Sequence, residues 1–304
     1  MKASIYKLLL LTPLVITSIC HNYFLLDVQS FELCYSLLLI FTLGIPHGAM
    51  DHIIFKKERK EISHLFTLLY WTLGIGNAVL WFYFPLEVTF FFIVISAFHF
   101  GEAQFSSSKI LSKRPVFLIC WGMAVITLLL SKNVDQLAHY VEYYNNPAFY
   151  QNVLYFLENG TVFLVFLTLT IVFKLYFLLS RKIKTDIFLR QSLFFIFLMV
   201  FMNFSTTLVG ITAFFVFVHS WSVLEQEYDY LKKDNPSFSL FDFVKVIFPF
   251  SILSYLMVGL FFALSIFGVV QISNAYLVIV ILSSLTLPHA VVMHIFYNNA
   301  KSVR

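Results

Sequence analysis

The sequence predicts an all-α fold: a polytopic membrane helix bundle of about ten (eight to ten) transmembrane helices, forming one integral membrane domain over residues 1–304. Three observations predict it. Hydrophobic residues make up 60% of the chain and charged residues only 12%, against about 25% charged in a soluble domain. Mean hydropathy is +0.85, and Phe alone contributes 38 residues. The apolar residues gather into runs of the roughly 20 residues needed to cross the hydrocarbon core. So little polar surface cannot cover a soluble globule of this size, whereas lipid as the outer solvent removes the difficulty.

The first run, 5–25, follows Lys2 and Lys7 and has no A-x-A-like cleavage site after it, so it reads as an uncleaved first helix. The others are 31–55, 65–84, 86–107, 115–131, 153–179, 188–205, 207–226, 243–268 and 272–298. Only Asn203, Ser205, Thr206 and Thr207 separate the seventh from the eighth, and without that break the count is nine. Charge orients the chain. With both termini in the cytoplasm, the segments 56–64, 108–114, 180–187 and 227–242 are internal. Of the 20 Lys and Arg residues, only Lys132 then falls in an external loop. That is the positive-inside bias of a multi-pass cell-membrane protein. External loops carry Asp27, Glu87, Asp135 and Glu142 instead. The net charge of +4 lies in loop flanks and gives no reason to expect nucleic acid. Cys20, Cys34 and Cys120 are far apart in apolar runs, which suggests neither disulfides nor a thiolate metal site. The lysines sit at cytoplasmic ends, which argues against a Schiff-base retinal protein.

Ionisable groups inside a membrane are costly, so intramembrane histidines need partners or a purpose. His21, His64 and His139 fall at span ends or in loops. His47, His99, His219 and His289 lie in the second, fourth, eighth and tenth spans, all running towards the cytoplasm. Each stands seven to nine residues before the cytoplasmic end, or roughly 10–14 Å of depth at the α-helical rise. Four imidazoles from four helices therefore share one level. Such a set suits a borderline transition metal such as iron, zinc or copper; the alternative is that each hydrogen-bonds a neighbouring helix.

Asp51 follows His47 by four residues and Glu102 follows His99 by three, spacings that put each carboxylate on the face of its histidine. There it can accept the second ring N–H and orient a ligand, or it can reach the headgroups. Pro46 and Pro288 precede two of the histidines, and Gly44 and Gly48 flank one, which loosens the helices locally. His52 and His294 follow His47 and His289 by five residues, so the members of each pair do not share a face. They read as outer-shell or substrate-side groups.

These residues carry a family resemblance. Gly44-Ile45-Pro46-His47-Gly48-Ala49-Met50-Asp51-His52 resembles the G-x-P-H-G-x-x-D-H motif of the Brp/Blh family of bacterial and archaeal β-carotene 15,15′-dioxygenases. His99-Phe100-Gly101-Glu102 resembles its H-F-G-E segment, His219-Ser220 its H-S element, and Leu287-Pro288-His289 its L-P-H element. The resemblance implies a membrane dioxygenase that cleaves β-carotene with O2 at the central double bond. The product is two all-trans-retinal, which can supply a rhodopsin. It implies Fe(II) held by histidines, with His47, His99 and His219 at the matching positions. The family's further histidine, four residues after the H-S histidine, is Val223 here. Either His289 completes the set, or three histidines hold iron, or the chain diverges in substrate or activity. A tunnel for the polyene would draw on aromatic side chains such as Phe98, Phe100, Phe214, Phe215, Phe217 and Trp221. Two other readings stay open: a carotenoid- or retinal-binding membrane protein without catalysis, and a haem- or quinone-linked redox protein.

Overall fold

The structure, a computed structural model, describes residues 28–106, 108, 110–131, 154–268 and 274–300. The first expected span, 5–25, the external loop 132–152 with His139, His21, and both termini with their expected cytoplasmic placement lie outside the described residues. Every expected span from the second to the tenth contains helix, and no strand occurs among the described residues. The second span is composite. Helix α1 (Val28–Leu39) runs into a π-helical segment (Ile40–Gly44), a 3₁₀ turn (Ile45–Gly48) and α2 (Asp51–Glu58). Then come α3 (Phe66–Tyr83), α4 (Pro85–Phe105), α5 (Pro115–Leu130), α6 (Thr161–Leu179) and α7 (Thr185–Phe204). The eighth span is also composite: α8 (Thr207–Ala213), a π-helical segment (Phe214–Ser220) and α9 (Trp221–Asp234). Helices α10 (Leu240–Ile266) and α11 (Asn274–Ala300) close the described chain.

Seven helical segments among the described residues are long and apolar enough to cross a membrane. The third and fifth expected spans, α3 with 18 residues and α5 with 16, are not among them. Helix α5 is short because it is interior: Phe117, Leu118, Trp121, Ala124 and Val125 are all buried within the larger apolar core. By contrast α10 lies on the outside, with Leu256 66% and Ile266 78% exposed. Such a face is stable only against lipid. The seventh and eighth spans are separate helices. Ser205 and Thr206 are extended, and the Thr206 hydroxyl accepts a bond from the Val209 amide at 3.4 Å, capping α8.

Two glycines set the α4–α5 contact on which His99 depends. A Cβ on Gly101 would run into the Leu118 carbonyl, and one on Gly122 into the Ala97 carbonyl. The backbones can approach so closely only because both positions lack a side chain, the small-residue logic of membrane helix pairs. Polar bonds join α3 to α11: Trp81 Nε1 donates to the Ser283 hydroxyl at 2.5 Å, and the Tyr276 hydroxyl to the Trp81 carbonyl at 2.7 Å. One expectation fails. Lys174 is not at a cytoplasmic end; it is 3% exposed inside α6, where Nζ donates to the Ser192 hydroxyl of α7 at 3.1 Å.

Replacing Gly122 by Val should force α4 and α5 apart, because backbone cannot move aside as a side-chain tip can. Overpacking costs about 1–3 kcal/mol, so the variant should melt earlier in detergent. Gly76→Ala, which meets no atom within 4 Å, should leave the melting temperature nearly unchanged.

Candidate metal centre

Irregular backbone delivers two of the four intramembrane histidines. Pro46 has no N–H to continue an α-helix, and the chain around it adopts the π segment and 3₁₀ turn that carry His47. His219 lies inside the second π segment. Helix turns widened in this way recur at functional sites. His289 follows Pro288, within α11. His99 also sits in regular helix, held by the glycine contact described above.

The structure brings all four together. Their side chains are buried, and their ring centroids close a circuit. His47–His219 is 5.3 Å, His219–His99 4.7 Å, His99–His289 5.0 Å and His289–His47 4.7 Å. Ring nitrogens of His47, His219 and His289 lie within 4.8 Å of one another. Both ring nitrogens of His99 and of His219, and Nε2 of His289, are buried with no hydrogen-bond partner. An unsatisfied buried polar atom costs about 1–3 kcal/mol. A shared ion that accepts lone pairs would satisfy one nitrogen of each ring. The remaining nitrogens have roles: His47 Nδ1 donates to the Gly44 carbonyl, and His289 Nδ1 to Asp51 Oδ1 at 2.8 Å. Both bonds leave Nε2 as the lone-pair nitrogen. Interhelical hydrogen bonding, the alternative reading of these histidines, does not account for His99 and His219.

The carboxylates do not serve their own neighbours. Asp51 pairs with His289, not His47, because the 3₁₀ turn between positions 47 and 51 breaks the α-helical register. Its other oxygen accepts from the Tyr70 hydroxyl at 2.9 Å. Glu102 reaches across to His294 Nδ1 at 2.9 Å rather than to His99, since α11 packs against α4 on that face. His294 also meets Asn298, at 3.0 Å. His52 is turned away from the circuit: it stacks on Phe250 at 3.6 Å and lines a cavity of about 660 Å³ with Lys56, Lys57 and Lys60.

Two of the expected tunnel aromatics border the circuit. Phe100 is 4.7 Å from His219, and Phe215 is 5.3 Å from His47 and stacked on His219 at 5.8 Å. Phe214 packs behind Phe100 at 5.3 Å, and Phe217 is buried in the same apolar core. Phe98 lies against His294 at 5.6 Å, and Trp221 is 37% exposed. Val223 is fully buried among Met50, Ile54, Val292 and Met293. The fourth imidazole of the circuit is that of His289.

The model of the family described as beta-carotene 15,15'-dioxygenase matches residues 38–297. The chain belongs to that family. A curated beta-carotene 15,15'-dioxygenase from an uncultured marine bacterium (66A03) is 32% identical over 104 residues, 32% of this chain and 38% of that protein. The match thus spans well under half of that relative. No solved structure matches. All four histidines of the circuit fall inside the segment matched to the dioxygenase family.

Sequence reasoning missed two groups here. Tyr70 is one Tyr among 16 and carries no motif. Glu227, expected in a cytoplasmic segment, is wholly buried on α9, with both carboxyl oxygens unpartnered. Its spacing of eight from His219, two turns on one helix face, was the available signal.

Asp51→Leu should strand the His289 N–H and the Tyr70 hydroxyl, costing about 1–3 kcal/mol each at most. Asp51→Asn keeps an acceptor and should cost less. Thermal unfolding of the two variants in the same detergent checks the order.

Proposed function

We propose that this protein cleaves β-carotene oxidatively at the central 15,15′ double bond with O2, giving two all-trans-retinal, at a non-haem Fe(II) centre. His47, His99, His219 and His289 hold the ion. One observation carries the reading: four buried imidazoles from four spans close a circuit, and five of their ring nitrogens have no protein partner. Family membership supports the substrate.

Iron, when bound, supplies the O2-activating chemistry. The chain's own residues do the rest. Asp51, itself held by Tyr70, keeps the Nδ1 proton of His289 and fixes that ring with its lone pair inward. Gly44 does the same for His47 through its carbonyl. Phe100 and Phe215 exclude water from the histidine circuit and offer ring faces to a polyene. The overall reaction turns one C=C and one O2 into two C=O, with no net proton change. It therefore needs no net proton donor or acceptor. The substrate dissolves in the bilayer, so a centre within the spans spares its extraction into water. Retinal formed there can supply a rhodopsin. The termini and the basic loops face the cytoplasm.

A second reading, carotenoid or retinal binding without cleavage, draws on Val223 standing where the family has a histidine. The haem alternative predicts a Soret band in the purified protein, which the iron reading does not.

Metal analysis should find iron in the wild type. His99→Ala and His219→Ala should lose it, and Asp51→Asn should weaken metal affinity about 10–100-fold. In β-carotene-producing bacteria the wild type should bleach the cells and accumulate retinal. Retained orange colour with iron present would favour binding alone.

A further inference from the structure

A cavity of about 220 Å³ lies between α3, α4 and α11. Phe91, Phe92, Ile95 and Leu287 make its apolar wall, and Asn77 and Ser283 add the polar lining. Phe91 is 60% exposed on the lipid side, so the cavity is reached from the bilayer. Its lining runs outward from the level of the histidine circuit. Leu287 precedes His289 by two residues, Ile95 precedes His99 by four and Phe91 by eight, or roughly 3–12 Å along the helix axes. An apolar cavity of about 150 Å³ accepts benzene, so this one has room for a substituted six-membered ring.

Its polar atoms are not interchangeable. Asn77 Nδ2 donates to the Ser283 hydroxyl at 2.9 Å and the Ser284 hydroxyl at 3.2 Å. The Ser283 hydroxyl donates its proton to the Val280 carbonyl at 3.0 Å and accepts from Trp81 at 2.5 Å. With its proton committed, Ser283 can only accept from Asn77, which fixes the NH2 side of the amide towards the serines. Both N–H groups are then used, and the Asn77 carbonyl oxygen has no partner among the described residues. Helix–helix adhesion needs only the two N–H bonds. An open acceptor on the wall of a hydrocarbon cavity is costly unless a ligand supplies a donor.

We propose that the cavity seats the terminal ring of a polyene carrying one ring hydroxyl, whose O–H donates to Asn77 Oδ1. Asn77 is then a specificity-determining residue for a monohydroxylated carotenoid over β-carotene itself, which has no donor. The inference rests on the polyene-cleaving reading of the histidine centre, and equilibrium binding separates the two.

Binding of β-carotene and of its monohydroxylated counterpart to the purified, lipid-reconstituted protein is followed by tryptophan quenching; Trp81 bonds to the lining residue Ser283. A single neutral hydrogen bond should give the wild type about a five-fold preference for the hydroxylated polyene. Asn77→Leu should abolish the preference by weakening that ligand alone, while Ser284→Ala should retain it. Equal affinities in the wild type, or a preference that survives Asn77→Leu, overturn the proposal. Should Asn77→Leu fail to fold, Phe92→Trp provides the second test: filling the cavity must weaken binding of both polyenes, and unchanged binding again overturns it. If the preference holds but neither polyene is cleaved by iron-loaded protein, the cavity assignment stands and the reading of the histidine centre falls.

Discussion

A neutral imidazole deep in a helix bundle must commit both ring nitrogens, because no water is at hand to satisfy them. In this protein that demand is met asymmetrically. His47 and His289 each spend one nitrogen on a protein acceptor, the Gly44 carbonyl and the Asp51 carboxylate. His99 and His219 spend none on the protein. An ion shared among the four neighbouring rings would meet one nitrogen of each. The other departures from regular structure serve that grouping: two π segments, two prolines and a pair of helix-contact glycines.

Much of this was legible in the sequence, for a clear physical reason. Depth in a bilayer is encoded by residue count along a helix, so a common level for positions 47, 99, 219 and 289 can be read without coordinates. Azimuth is not encoded so simply. The carboxylate partners show the difference. Spacing placed Asp51 with His47 and Glu102 with His99, but the structure pairs them with His289 and His294 of the last helix. Intrahelical spacing says which face a side chain occupies; which neighbour packs there is a tertiary question. At Asp51 the 3₁₀ turn also shifted the face itself.

Span counting behaved similarly. The polar break at Ser205 and Thr206 is a true helix boundary, because the Thr206 hydroxyl caps α8. Helix α5, enclosed by other helices, is shorter than a lipid-facing span needs to be. Lys174 escaped the sequence reading because the lysines were all read at cytoplasmic span ends, and Glu227 because the eighth span was ended at 226. In the structure Lys174 has a serine hydroxyl to bond and Glu227 sits in an interior with no partner for either oxygen.

The Asp51–His289 bond joins residues 238 apart in sequence. The histidine circuit is therefore stitched from the first described span and the last. During synthesis the early helices enter the bilayer long before α11 exists, and with three of four imidazoles present the circuit is open on one side. Closure is thus a late event in biogenesis, coupled to insertion of the final helix. A chain cut short before that point would hold most of the lipid-embedded mass of the protein and none of its finished centre.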